Sequence, residues 1–261
     1  MTVLQAVLIA LFTYLAAIGS VVGNTIGWYD LGRPLVASFV VGVIMNNVPV
    51  AVSLGLLLQL ANLGSVTPGG AVGWDLSYAT YIGVGGALAF YNGDMAATTA
   101  LMWAFSTVGG AIGVAMWNMV YALDLSCNRV AMAGAEADDP KKIAFANVGL
   151  GNLIGFACRF IPALIILLTT AVAGSQSGLN VAELIPGWLV TTLTSFGGMM
   201  AALGMGILLS FLMKHPWQFC VFLLGYILVK YLSLSSMAVA VIAICVAVIY
   251  YEILNKKKES K

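Results

Sequence analysis

The 261-residue chain is 61% hydrophobic and only 8% charged, with a net charge of +1 and a mean hydropathy of +1.01. Soluble domains carry about 25% charged residues, so this composition excludes a soluble globular fold and reads as an all-α, polytopic integral membrane protein. The near-neutral balance excludes a nucleic-acid surface, which needs a basic face, and the dispersed Cys127, Cys158, Cys220 and Cys245 read as small hydrophobes, not as disulfides or metal ligands.

Thr2 to Gly27 is uncharged and long enough for one span of about 20 residues. No basic n-region precedes it and no clear cleavage site follows, so it reads as a retained membrane segment. Asp30, Gly32, Arg33 and Pro34 form a polar junction, and Pro34 suits the first turn of a helix, where its missing N–H is not needed. Leu35–Met45 and Val50–Leu63 are apolar but short, separated by Asn46-Asn47-Val48-Pro49. Each is nearer the ~10–14 residues of a re-entrant segment than a full span. Pro34 to Asp75 therefore reads either as one folded-back hairpin or as two broken helices. Asn46 and Asn47 read as turn residues.

The next stretch, Leu58 to Asp75, organises the chain. It begins apolar, carries Gln59, Asn62 and Thr67, breaks at Pro68-Gly69-Gly70 and ends in a carboxylate. A break inside apolar sequence exposes backbone polar groups, which a membrane tolerates only where protein or a water-filled cavity covers them. Broken helices beside polar side chains mark binding sites in transporters.

Leu76–Tyr91 and Met95–Leu123 follow, divided by Asn92-Gly93-Asp94 and rich in glycine clusters that let helices approach closely in lipid. Asp124 to Lys142 is the most hydrophilic stretch and reads as a solvated loop. Ile143–Ala173 is apolar, with Asn147, Asn152 and Arg159 inside it. Pro186–Met213, Trp217–Val229 and Ser236–Tyr251 complete the apolar runs. The total is about seven to nine apolar segments, with re-entrant or broken helices among them. Residues 1–255 read as a single transmembrane domain and 256–261 as a basic tail. Arg129, Lys141, Lys142 and that tail fall on the cytoplasmic side by the positive-inside rule.

The sequence holds no P-loop, CxxC or HExxH pattern, and no catalytic residue, metal site or cofactor is assigned. The single histidine, His215, has no carboxylate neighbour in sequence to orient it and reads as interfacial. Gln59 and Asn62 lie three apart, on one face of a helix. With Thr67, Asp75 and the adjacent Trp74 they supply the amides, hydroxyl, carboxylate and aromatic face that suit sugar hydroxyls. The plainer reading makes Gln59 and Asn62 interhelical glue and Asp75 an N-cap. Intramembrane carboxylates are expensive and usually functional, which favours a role in binding for Asp75. Arg159, inside an apolar span, reads as one half of a structural pair within the bundle.

Three patches resemble the IIC permease subunit of the mannose/sorbose family of bacterial phosphoenolpyruvate-dependent sugar phosphotransferase systems. They are Gly32-Arg33-Pro34-Leu35-Val36 with Gly42 and the Asn46-Asn47 turn; Leu58 to Asp75; and Phe219 to Tyr251, with Phe222-Leu223-Leu224-Gly225-Tyr226 and the closing Ile249-Tyr250-Tyr251. The resemblance implies a helical subunit of the bacterial plasma membrane with re-entrant hairpins. Such a subunit works in an oligomer with a IID partner and binds an external sugar. Phosphorylation falls to a phosphohistidine on a IIB subunit, fed through IIA and HPr. By the same resemblance, Asp75 matches a site carboxylate, Gln59 takes the place of a glutamate, and Thr67 that of a polar residue lining the sugar. Pro68, Gly69 and Gly70 form the break, and Arg33, Pro34, Asn47 and Arg159 are structural. Asn47 stands where the family usually has an aspartate. The alternatives from the residues alone are a self-sufficient secondary transporter or channel, and a non-transporting receptor or scaffold.

Overall fold

The computed structural model of the chain describes residues 1–16, 30–64, 74–175 and 187–259. Every element of regular structure among them is helical, and the helices are apolar. The chain falls into two compact units, Met1–Leu208 and Leu209–Lys261.

In the first unit, α1 (Val3–Leu15) opens with a capping box in which Thr2 and Gln5 satisfy each other's backbone donors. Helix α2 (Pro34–Met45) starts with Pro34 at its first turn and stops at Asn46, whose φ of 61° is left-handed. The Asn47 N–H then donates to Gly42 O at 2.8 Å, and α3 (Val48–Ala61) begins. At 12 and 14 residues these helices are about 18 and 21 Å long, short of a bilayer core of about 30 Å. They pack against each other, which makes 34–61 a folded-back hairpin rather than two separate broken spans. Close approach is possible because the Gly55 backbone lies directly on the Ser38 side chain, and a Cβ at Gly42 would lie 2.8 Å from Ala51 Cβ. Asn46→Ala forces an alanine into the left-handed region, at a cost of about 1–2 kcal/mol. Asn46→Gly is expected to be close to neutral, and thermal unfolding of the purified variants checks the pair.

Helix α4 (Leu76–Ala89) is the centre of the unit. Ser77 through Leu88 are all buried, against α1, α2, α3, α5 and α7, as expected of a helix apolar all round. Helix α5 (Met95–Glu136) is capped by Asp94, whose Oδ1 accepts from Ala96 N at 2.8 Å and Ala97 N at 3.3 Å. It runs for 42 residues, about 63 Å, and so reaches well beyond the bilayer core.

That length corrects the reading of Asp124–Lys142 as a loop. Residues Asp124–Glu136 continue the helix. The true turn is only Ala137 to Asp139, with Asp138 at φ 52° and Asp139 capping α6 (Pro140–Ala144). Charges report contact with water, not loss of helix, and this segment's Ala, Leu, Met, Arg and Glu are good helix formers. A π-helical turn, Phe145–Leu150, joins α6 to α7 (Gly151–Ser175). Met95–Glu136 and Pro140–Gly174 are each long and apolar enough to cross a membrane. Large apolar side chains such as Val108, Leu153, Ile161, Ile165 and Val172 face outward, as a lipid-facing surface requires.

Helix α8 (Gly187–Leu212) carries the chain into the second unit. There α9 (Gln218–Lys230) and α10 (Ser236–Glu259) pack on each other. An apolar groove of about 650 Å³ runs between them, lined among others by Leu209, Trp217, Val221, Ile242 and Tyr250. His215 is exposed on the turn before α9.

Candidate functional site

The first turn of α4 holds the most polar buried cluster among the described residues. Asp75 is the N-cap of α4, and its Oδ1 accepts from Tyr78 N and from Ser77 Oγ, both at 2.8 Å. Its Oδ2 accepts from Arg159 Nη2 on α7 at 2.6 Å. Both side chains are sealed from solvent, at 0% exposure for Arg159 and 1% for Asp75. Arg159 Nη2 also donates to Ser77 Oγ at 3.2 Å. The Tyr78 hydroxyl donates to Arg159 O at 2.8 Å. The two helices are thus tied through side chain and backbone together.

Arg159 Nε and Nη1 are buried with no hydrogen-bond acceptor among the described residues. What meets them is aromatic. The guanidinium carbon lies 4.9 Å from the Tyr78 ring centroid and 5.1 Å from that of Trp117. A desolvated cation over ring faces gains about 2 kcal/mol per face, which compensates part of the missing hydrogen bonding. Trp117 in turn stacks on Tyr121, with centroids 5.3 Å apart.

Helix α5 provides the shelf on which this cluster rests. A Cβ at Gly113 would lie 2.5 Å from Asp75 Cβ and 2.7 Å from Tyr78 Cβ. One at Gly110 would lie 2.7 Å from the Trp74 ring. Gly113 must be glycine for the start of α4 to sit so close to α5, and Gly110 leaves room for the Trp74 ring in its present position.

The other residues singled out in the sequence are placed as follows. Gln59 is half-buried in the last turn of α3, and its amide has no hydrogen-bond partner among the described residues. Asn62 ends that helix and turns its Nδ2 back to Leu58 O at 2.9 Å. No hydrogen bond joins either of them to Asp75 among the described residues, but they stand at the two helix ends that flank residues 65–73. Thr67, Pro68, Gly69 and Gly70 lie outside the described residues. Arg33 is the N-cap of α2 without a side-chain cap bond, and Pro34 follows at N1. Asn47 is the N-cap of α3. Sequence reasoning gave Arg159 a pair without naming it, and missed Ser77, Tyr78, Trp117, Gly110 and Gly113 as its setting.

A family model described as the PTS system sorbose-specific IIC component matches residues 3–249. The chain belongs to this family. Among curated relatives of this IIC chain, the PTS system mannose-specific EIIC component of Escherichia coli strain K12 is 24% identical over 256 residues, covering 98% of this chain and 91% of the relative. Two solved structures share this chain's fold over 97% of this chain and 96% of theirs. One, titled a structure of membrane protein, has a TM-score of 0.76 at 23% identity. The other, a cryo-electron-microscopy complex of the mannose transporter ManYZ with microcin E492, has a TM-score of 0.52 at 22% identity.

Proposed function

We propose that this chain is the sugar-translocating membrane subunit of a phosphotransferase-system permease of the mannose/sorbose type. The observation that carries the reading is the IIC family match over nearly the whole chain, residues 3–249. The subunit crosses the bacterial plasma membrane several times beside a IID subunit, in an oligomer with it. It binds an external sugar and passes it to a IIB subunit, whose phosphohistidine, supplied through IIA and HPr, phosphorylates it. This chain is not an enzyme by itself in that scheme, and its exposed His215 carries no phosphoryl group.

Gln59, Asn62, Thr67 and Asp75 are the residues proposed to meet the sugar, around the break at Pro68 to Gly70. Gln59, whose amide is uncommitted, offers both a donor pair and an acceptor. Asp75 already accepts three hydrogen bonds of the roughly four a carboxylate takes, so its contribution to sugar binding is limited to its last lone pair. Arg33, Pro34, Asn47 and Arg159 hold the frame.

Phosphoenolpyruvate-dependent uptake tests the proposal. Vesicles carrying this chain with cognate IIA, IIB and IID subunits are given labelled hexoses and amino sugars, beside a set without functional IIB. Accumulation as sugar phosphate that vanishes without IIB is expected. Free sugar accumulating regardless of IIB would mean a self-sufficient transporter and would sink the reading. Inert membranes with folded protein would favour a receptor or scaffold.

A further inference from the structure

A polar cavity of about 300 Å³ opens between the C-terminal part of α5 and the π-helical turn that leads into α7. Its lining includes Asp124 and Asn128 from α5 and Asn147 from the turn. It is removed from the Asp75–Arg159 cluster: Asp124 stands eleven residues beyond Gly113, or roughly 16 Å along a helix. Asp124 and Asn128 are four apart and share a face of α5. Asn147 reaches the same space from within a π turn, a rare geometry that recurs at functional sites.

None of the three side chains hydrogen-bonds to a described residue. Asp124 Oδ1 is buried without a partner, whereas Asn128 and Asn147 are exposed and present free amides at the cavity mouth. A buried acceptor left unmade costs about 1–3 kcal/mol, so something polar should occupy the cavity. One carboxylate acceptor beside two amides, each both donor and acceptor, matches the alternating hydroxyls of a polyol. No lysine, arginine or aromatic residue lines the cavity, so the charge an anionic ligand would meet within it is that of Asp124. The volume lies at the lower end of small-molecule pockets, about 300–1,000 Å³, which suits a single monosaccharide. Arg129, Lys141 and Lys142 adjoin the lining residues in sequence and are exposed, which puts this end of α5 on the cytoplasmic side by the positive-inside rule.

We infer that this cavity is a second sugar subsite, on the phosphorylation side, which holds the neutral sugar and rejects its phosphate ester. The inference rests on the proposed function and adds to it a place where sugar waits after crossing. Like charges explain the direction: once phosphorylated, the product is repelled by Asp124 and leaves.

The test uses Ala131→Cys, a lining position without a polar role, in a chain whose native cysteines are alanine. Inside-out vesicles carry it with the cognate subunits, and the rate of labelling by N-ethylmaleimide is read with and without mannose, fructose, sorbose or mannose 6-phosphate. A sugar that is taken up should slow labelling, and mannose 6-phosphate should not. Adding Asp124→Asn should raise the protecting concentration about tenfold, because a charge-assisted hydrogen bond becomes a neutral one. Labelling that no sugar slows, in vesicles that do take one up, overturns the subsite and leaves the proposed function standing. Protection by mannose 6-phosphate, or protection unaffected by Asp124→Asn, also overturns it. Vesicles that take up no sugar overturn the proposed function, and the sugar assignment of this cavity with it.

Discussion

Arg159→Met is expected to be the most damaging single substitution in the bundle. Methionine keeps much of the apolar stem but removes the cation, so the Asp75 carboxylate, 1% exposed, is left without its charge partner. Breaking a buried pair from one side costs about 3–5 kcal/mol, a large share of a typical total stability of about 5–15 kcal/mol. Asp75→Asn is expected to cost less. Asparagine still caps α4 and still accepts from Ser77 and Tyr78, while the Arg159 cation keeps the faces of Tyr78 and Trp117. In the double variant Asp75→Asn with Arg159→Met, neither charge is stranded, so part of the loss should return. Thermal unfolding in detergent across the four proteins measures this as a cycle. A double variant no better than Arg159→Met alone would mean that Arg159 acts through its aromatic contacts and not through its charge. The double variant has a further use. If it folds, its sugar affinity reports what the Asp75–Arg159 pair contributes to binding, without the stranded charge that either single change leaves.

The pairing shows what a linear reading can reach. Helix ends at Pro34, Asn46 and Asp94 were legible because their signals are local: a fixed φ, a left-handed asparagine, a carboxylate facing free N–H groups. The all-helical membrane class was legible from the rarity of charge. Asp75 and Arg159 are 84 residues apart, and nothing local joins them. One indirect signal was present. Asp75 is the sole charge between Arg33 and Asp94, and Arg159 the sole charge between Lys142 and Glu183. Two isolated opposite charges in apolar surroundings need partners, and each is the other's simplest solution. The aromatic faces around Arg159 had no such signal, since Tyr78 and Trp117 look like any membrane aromatics until α4 and α5 are brought together. Asp124–Glu136 misled for a different reason. A helix that leaves the bilayer becomes polar without ceasing to be helical, so hydropathy located the membrane boundary and not the helix end. Of the proposed sugar contacts, Gln59 and Asn62 are seen at a helix end beside residues 65–73, and Thr67 lies within that stretch.

Gly113→Ala should come second in damage, against the ordinary trend of helix propensity. In a helix interior alanine is favoured over glycine by about 1 kcal/mol, so propensity alone predicts a more stable α5. Sterics point the other way. The added methyl would stand 2.5 Å from Asp75 Cβ and 2.7 Å from Tyr78 Cβ, atoms bonded directly to the backbone of α4, which cannot rotate aside. Relief requires moving the start of α4, which lengthens the 2.6 Å contact between Asp75 and Arg159. Overpacking of this kind costs about 1–3 kcal/mol, to which a weakened buried ion pair adds. Gly206→Ala separates the two effects, because a Cβ there meets nothing within 4 Å and only propensity acts. Gly206→Ala should therefore unfold at a slightly higher temperature than the unmodified chain, and Gly113→Ala at a clearly lower one with loss of sugar uptake. Gly110→Ala should fall between them, since it meets the Trp74 ring, which can tilt about its side-chain bonds where a Cβ cannot. Equal shifts for Gly113→Ala and Gly206→Ala would mean that the contact between α4 and α5 is looser than these distances describe, and that Arg159 alone fixes Asp75 in place.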